Sequence, residues 1–139
     1  MAGMLIRCKL FASNLDPIDR AFQRGDTAVI VVADIQNVIS KMDGAANYYD
    51  NSAKIETHLR RLQAGYFEIP LVAPINAEKL RWVEGIHQVN AAFEYGLGII
   101  PISTAARYAE TLKTWLGAAQ PELAHDQFDF SACACPVII

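Results

Sequence analysis

The residues most able to do chemistry in this sequence surround the glycine at position 85. Glu84 precedes this glycine and His87 follows it by two residues, so a carboxylate and an imidazole flank one turn. A carboxylate can act as a base or hold a metal ion, and an imidazole exchanges protons near neutral pH. The same spacing is also compatible with a glycine that only shapes a tight turn and a histidine that caps or packs.

A strand and a helix must position these two side chains. The sequence predicts a strand over 80–83, a turn at Gly85, and a helix marked by Val89, Ala92 and Phe93. The helix is broken at 96–98, and a second strand is predicted over 99–103. Glycine adopts backbone angles that other residues avoid. The N–H groups at the start of a helix, together with its dipole, favour an anion such as phosphate.

The rest of the chain alternates predicted strands and helices. Strands are predicted over 4–12, 27–33 and 67–75, and helices over 16–25, 35–42, 53–64 and 104–116. Pro70 and Pro74 should place the third strand at an edge or bend it. Loops are predicted over 43–53 and 117–130, and the final CACPVII is either a closing strand or a contact between two copies in a homodimer. The pattern predicts an α/β (α+β) fold, a small mixed sheet with flanking helices in a single domain, 1–139.

Composition narrows the range of functions. With 53% hydrophobic and 19% charged residues the chain can bury a core. A net charge of −3 gives no basic footprint for nucleic acid. No apolar run is long enough for a signal peptide or a membrane span. Three cysteines do not suggest a disulfide framework, so a cytoplasmic protein with reduced thiols is expected.

Five segments between Val31 and Thr104 follow one another in an order that is typical of a known family. They are KIETHLRRLQAG (54–65), EIPLV (68–72), RWVEGIHQVNAA (81–92), EYGL (94–97) and IIPIS (99–103). Together they resemble the ParB/sulfiredoxin-like fold, especially its short phage and plasmid members. The resemblance covers about 31–104, just over half of the chain, and leaves 105–139 as a C-terminal helix and tail.

This resemblance implies a nucleotide-phosphate site at the turn. Gly85 matches the family's glycine, and His87 matches the histidine that contacts phosphate. Gln88 stands where the family carries an arginine, and it lacks the charged, forked guanidinium. Ile86 stands where sulfiredoxins carry their catalytic cysteine, so sulfinic acid reduction is not expected.

The preceding helix adds two further residues through the same resemblance. Lys54 and Thr57 match a lysine and a hydroxyl residue that bind ligand in sulfiredoxins. Lys54 would supply the positive charge that Gln88 lacks, or it is simply a solvated helix residue. The ligand-binding set is therefore Lys54, Thr57, Gly85, Ile86, His87 and Gln88, with Glu84 and His87 as the catalytic candidates.

Three functions remain open from the sequence. The first is binding of a nucleotide or another phosphate-bearing ligand, ATP or CTP with Mg²⁺, with phosphoryl or phosphodiester transfer at the turn. The second is a non-catalytic protein that binds another protein, such as an inhibitor or regulator of a mobile element, whose anion site has decayed at Gln88. The third is a nuclease. Specific DNA binding is not expected, because no helix-turn-helix segment follows Ser103.

For the other residues that could do chemistry, a structural role is an alternative to a functional one. Cys133 and Cys135 form a C-x-C pair with no second pair nearby, which is a weak signal for a zinc site that usually has four ligands, and His125 and Asp126 are near enough in sequence to add ligands. The alternative is that these cysteines are small buried apolar side chains, and Cys8 is expected in the core. His58 is expected to pack or to lie at the surface. The remaining candidates are an aromatic pair that could stack on a base or fill a core edge, Tyr48 and Tyr49, and three arginines that form a basic patch or a solvated face, Arg60, Arg61 and Arg81.

Overall fold

The computed structural model describes residues 4–42, 52–76 and 79–139. Its strands are β1 Ile6–Leu10, β2 Ala28–Asp34, β3 Tyr66–Ile69, β4 Leu71–Ile75, β5 Lys79–Glu84, β6 Ile99–Ala105, β7 Phe128–Asp129 and β8 Val137–Ile138. Its α-helices are α1 Ile35–Ser40, α2 Ser52–Gln63, α3 Ile86–Tyr95 and α4 Ala109–Leu116. The predicted α+β class is confirmed, but the strands form two sheets rather than one.

The larger sheet holds the centre of the core. Its strand order is β5-β4-β6-β2-β8, and β2 and β6 pair antiparallel from Ala28 opposite Ala105 to Asp34 opposite Ile99. The run AVIVVA of β2 is buried on both faces, as its continuous apolar sequence predicts. The smaller sheet, β3-β1-β7, is parallel throughout.

Pro70 joins the two sheets. It lies between β3 and β4 and has no N–H to donate, so the strand predicted over 67–75 is interrupted there and changes sheet. Its carbonyl oxygen accepts hydrogen bonds from both the backbone N–H and the hydroxyl of Ser103, each at 2.8 Å. Ser103 is fully buried. The predicted break at Pro70 is confirmed, whereas Pro74 lies within β4.

The predicted helix over 16–25 is wrong. This stretch forms successive turns, in which the N–H groups of Ile18, Phe22 and Asp26 each donate to a carbonyl three residues earlier. Asp19 accepts the N–H of Ala21, and Asp26 accepts that of Gln23. Aspartate side chains that bond nearby backbone groups in this way compete with helical hydrogen bonds.

The C-terminal third also departs from its prediction. The expected helix over 104–116 begins only at Ala109, because β6 continues to Ala105 and a 3₁₀ turn, Ala106–Tyr108, follows. The expected loop over 117–130 contains a 3₁₀ helix, Pro121–Asp126, and β7. The tail is a closing strand of its own chain, since β8 pairs parallel with β2. The carbonyl of Ile139 accepts a hydrogen bond from Lys113 Nζ at 2.9 Å.

The strand–turn–helix around Gly85 is confirmed. β5 ends at Glu84, α3 begins at Ile86, and Gly96 ends α3 in the left-handed conformation. Gly85 has a φ of 128°, and a Cβ at this position would lie 2.2 Å from the Pro70 Cβ and 2.7 Å from its Cα. Glycine is thus required here both by the backbone angle and by the contact with Pro70.

We expect Gly85→Ala to lower the free energy of unfolding by about 2–5 kcal/mol, because it adds backbone strain to a steric clash with a fixed ring. Urea unfolding of both proteins measures this difference. Gly98→Ala is the matched control, since a Cβ at Gly98 would meet no atom within 4 Å. Its effect should stay within about 1 kcal/mol. Equal stability of Gly85→Ala and the parent chain would contradict the described turn.

Candidate functional site

A cleft of about 860 Å³ opens beside the Gly85 turn. Several residues predicted as site residues line it together: Lys54, Glu84, Gly85, Ile86 and His87. Its other walls come from the segment before β2 and from the edge of the larger sheet, namely Arg20, Ala21, Ile75, Leu80, Arg81, Trp82 and Val83. Thr57 and Gln88 do not line it.

The end of β5 presents an unbroken run of residues to this cleft. β5 is an edge strand, and its pairing with β4 shifts from Trp82 opposite Val72 to Glu84 opposite Leu71. Val83 is therefore an extra residue, a β-bulge that interrupts the alternation of side chains across the sheet. The bulge lies within the run of consecutive residues from Leu80 to His87 that lines the cleft.

The first turn of α3 follows Gly85 directly and lines the cleft through Ile86 and His87. Gly85 is the N-cap residue and has no side chain, so no side-chain hydrogen bond caps this end of the helix. The carbonyl of Gly85 accepts the N–H of Val89 at 3.0 Å, which places Ile86 and His87 in the first helical turn. This end of a ten-residue helix favours negative charge, because its dipole is positive there.

Gln88 does not face the cleft. Its side chain is fully buried, and its Nε2 donates to Glu68 Oε1 at 3.1 Å and to Glu84 Oε1 at 3.4 Å. Its Oε1 is buried without a hydrogen-bond partner among the residues described here. Gln88 therefore bridges two carboxylates, and one of them belongs to the candidate catalytic residue Glu84. The hydrogen bond between Gln88 and Glu68 is not predicted by the sequence.

Helix α2 contributes Lys54 to the lining of the cleft. It packs against α3 and brings Lys54 to the cleft, although the two segments are far apart in sequence. Thr57 is exposed, and its hydroxyl donates to the carbonyl of Ala53, one turn back in the same helix, at 2.9 Å. Of the expected buried face of α2, Leu62 is buried, while Ile55 and Leu59 are half-buried.

His58 lies closer to the candidate site than its sequence position indicated. It is half-buried, and burial lowers its pKa below the ordinary value of 6.5. The nearby Arg61 and His87 lower the pKa further, while the carboxylate of Glu84 opposes them. His58 is thus electrostatically coupled to both catalytic candidates, a relation that depends on the packing of α2 on α3.

The predicted patch of three arginines is not a free basic surface. Arg81 forms a two-pronged ion pair with Asp19, in which Nε and Nη2 donate at 2.7 and 3.0 Å. This ion pair lowers the pKa of Asp19. Arg60 pairs with Glu56 at 3.3 Å on the exposed side of α2. Arg81 nevertheless lines the cleft, together with Arg20, which sequence patterns did not single out.

Of the aromatic residues Trp82 and Phe93, Trp82 lines the cleft and Phe93 does not. The indole Nε1 of Trp82 is buried and has no hydrogen-bond partner within the described ranges. Phe93, expected on the buried face of α3, is 50% exposed. Tyr48 and Tyr49, the aromatic pair considered for base stacking, lie outside the described residues.

The cysteines pack as small apolar side chains. Burial raises the pKa of Cys8, and it raises the pKa of Cys133 to about 11. His125 packs edge-on against Phe130, with the ring centres 5.8 Å apart. In the ranges 4–42, 52–76 and 79–139, no group of three or more His, Cys, Asp or Glu side chains is arranged to hold a metal ion.

Comparison with models of protein families, with curated proteins and with solved structures finds no match for this chain. The resemblance to the ParB/sulfiredoxin-like family therefore stays a prediction. Across the described parts of the chain, no helix is both long enough and apolar enough to cross a membrane.

The pH dependence of stability tests the environment of His58. Its folded pKa lies below the unfolded value of about 6.5, so the unfolded chain binds this proton more readily. The free energy of unfolding should be highest above the unfolded pKa and should fall as pH drops through the folded pKa. His58→Gln should flatten this slope in urea unfolding between about pH 5 and 7.5.

Arg61→Gln separates the causes of this shift. It removes one nearby positive charge and leaves the burial of His58 in place, so its slope should lie between those of the parent chain and His58→Gln. Parallel stability curves for the parent chain and His58→Gln would show that His58 is not perturbed in this way.

Proposed function

We propose that the cleft beside Gly85 binds a phosphate-bearing ligand, with a nucleotide such as ATP or CTP together with Mg²⁺ as the leading candidate. One observation carries this proposal. Lys54 of α2 and the run Glu84–His87 come from separate segments and line one cleft at the N-terminal end of α3. An ammonium group and the positive end of a helix dipole are both complementary to phosphate.

The size of the cleft fits such a ligand. Its volume of about 860 Å³ lies within the range of small-molecule sites, which is roughly 300–1,000 Å³. Its lining combines an apolar side, which includes Ile75, Leu80 and Trp82, with the polar groups near the turn. An apolar wall beside a charged end suits a molecule that carries a flat base at one end and phosphates at the other.

Glu84 and His87 have distinct parts in this proposal. His87, in the first turn of α3, contacts phosphate through its imidazole, and Glu84 serves as a base or as the carboxylate that holds Mg²⁺. Gln88 orients Glu84 by donating to one of its oxygens. The reaction class is phosphoryl or phosphodiester transfer, and the latter includes the nuclease hypothesis. The free thiols also fit the cytoplasmic location expected of a nucleotide-dependent protein.

Isothermal titration calorimetry with ATP and with CTP, each with Mg²⁺, tests the proposal. We expect binding to the parent chain, and we expect His87→Ala and Lys54→Ala each to weaken it about tenfold through loss of a charge-assisted contact. Lys9→Ala is the matched control for Lys54→Ala, because Lys9 is exposed on β1 of the other sheet. Equal losses for Lys9→Ala and Lys54→Ala would show that only net charge matters.

A second candidate function is a non-catalytic protein that binds another protein. The exposure of Phe93 and Tyr95, at 50% and 42%, favours it, since α3 then carries apolar surface outside its buried face. No heat with either nucleotide, from a protein that keeps its fold, would favour this candidate over the first.

One version of this second candidate holds that the anion site was lost when a glutamine replaced the arginine at position 88. This version predicts the effect of the substitution Gln88→Arg. If the glutamine marks a lost phosphate-binding arginine, Gln88→Arg should create or strengthen nucleotide binding. Because Gln88 is fully buried beside Glu68 and Glu84, we expect no gain in affinity and a loss of about 1–3 kcal/mol in unfolding free energy. Calorimetry and urea unfolding of the same variant check both quantities.

A further inference from the structure

We infer that Arg20, in the irregular segment before β2, supplies the guanidinium that binds the anionic group of the ligand in the Gly85 cleft. This inference rests on the proposed function and names a ligand-binding residue beyond it. It also assigns a role to the segment between β1 and β2, which lines the cleft through Arg20 and Ala21.

The backbone before Arg20 is held by an ion pair across the cleft wall. Asp19 receives two hydrogen bonds from Arg81 of β5, at 2.7 and 3.0 Å, and one from the N–H of Ala21 at 2.9 Å. Asp19 is therefore fixed to the same strand that carries Glu84. The two sides of the cleft are joined next to Arg20.

The backbone after Arg20 is held from the opposite direction. The carbonyl of Ala21 accepts hydrogen bonds from the hydroxyl of Tyr108 at 2.7 Å and from Nη2 of Arg107 at 3.1 Å. Arg107 in turn pairs with Asp26, and Phe22 is buried in the core. Arg20 thus projects from a segment that is fixed on both sides, which limits the entropy lost when its side chain binds a ligand.

Of Arg20, Arg81 and Arg107, Arg20 is the one whose guanidinium can bind a ligand without breaking an ion pair with an aspartate. Arg81 and Arg107 are each occupied by an aspartate. Within the described part of the chain, Arg20 is exposed and forms no hydrogen bond or ion pair of its own. Its charge does attract the carboxylate of the neighbouring Asp19. A guanidinium has N–H donors in a fork that matches two oxygens of one phosphate.

The anion is best identified as phosphate in a chain of phosphates. Lys54 and the N-terminal end of α3 lie at the same cleft, so several positive groups surround one volume. Both a nucleotide and free polyphosphate carry this chemistry. ATP with Mg²⁺, sodium tripolyphosphate and adenosine are therefore the probes, because they separate the phosphate chain from the base.

The experiment compares Arg20→Ala and Arg20→Lys with the control Arg24→Ala. Arg24 is exposed in the same segment and does not line the cleft, so its loss changes the net charge equally. Binding is followed by calorimetry and by the fluorescence of Trp82 in the cleft wall, in a background where Trp115 is replaced by Phe. We expect Arg20→Ala to weaken ATP and tripolyphosphate binding about tenfold, and Arg24→Ala to leave both unchanged.

The outcomes distinguish failure of the role of Arg20 from failure of the proposed function. Unchanged ATP binding by Arg20→Ala, while His87→Ala still weakens it, would overturn the role of Arg20 and leave the proposed function standing. Full affinity of Arg20→Lys would overturn the need for a planar guanidinium. Absence of binding of ATP and tripolyphosphate to the parent chain would overturn the proposed function, and this inference with it.

Discussion

The contact of Pro70 with Gly85 and Ser103 is the constraint on which the site depends. Proline cannot donate a hydrogen bond, so the chain leaves the smaller sheet at Pro70 and enters the larger one. Its carbonyl is held by two donors of the buried Ser103, and its ring occupies the space where a side chain at position 85 would lie. One residue thus fixes the junction of the sheets and the position of the turn that begins α3.

The cleft follows from where this junction lies. β5 is the outer strand beside β4, and the Gly85 turn must pass close to Pro70 before α3 can begin. The bulge at Val83 adds an unpaired residue to this edge strand just before the turn. Edge position, bulge and glycine turn act together, so the chemistry-bearing residues lie at a place where the sheet is already irregular.

Helix caps and glycines at helix ends are features of local sequence, and they allowed α1 and α3 to be predicted. Asp34 caps α1 as its residue type suggests, with its Oδ1 accepting the N–H groups of Gln36 and Asn37, and glycines mark both ends of α3. The helix expected over 16–25 does not form, because Asp19 and Asp26 bond nearby backbone N–H groups and also pair with arginines 62 and 81 residues away, partners that local patterns do not show. The burial of Gln88 likewise depends on Glu68 of a strand that pattern analysis did not connect to the turn.

The net charge of the chain says little about the site, because some charged side chains form ion pairs with each other while others do not. The chain carries a net charge of −3, yet Arg81 and Arg107 are neutralised by Asp19 and Asp26. These two pairs hold the segment that carries Arg20, so the acidic residues serve to position a cation. The field within the cleft is then set by a few charged groups near the turn. The proposed anion site on this acidic protein therefore rests on the local arrangement of Arg20 and Lys54 around the start of α3, because net charge does not describe a local patch.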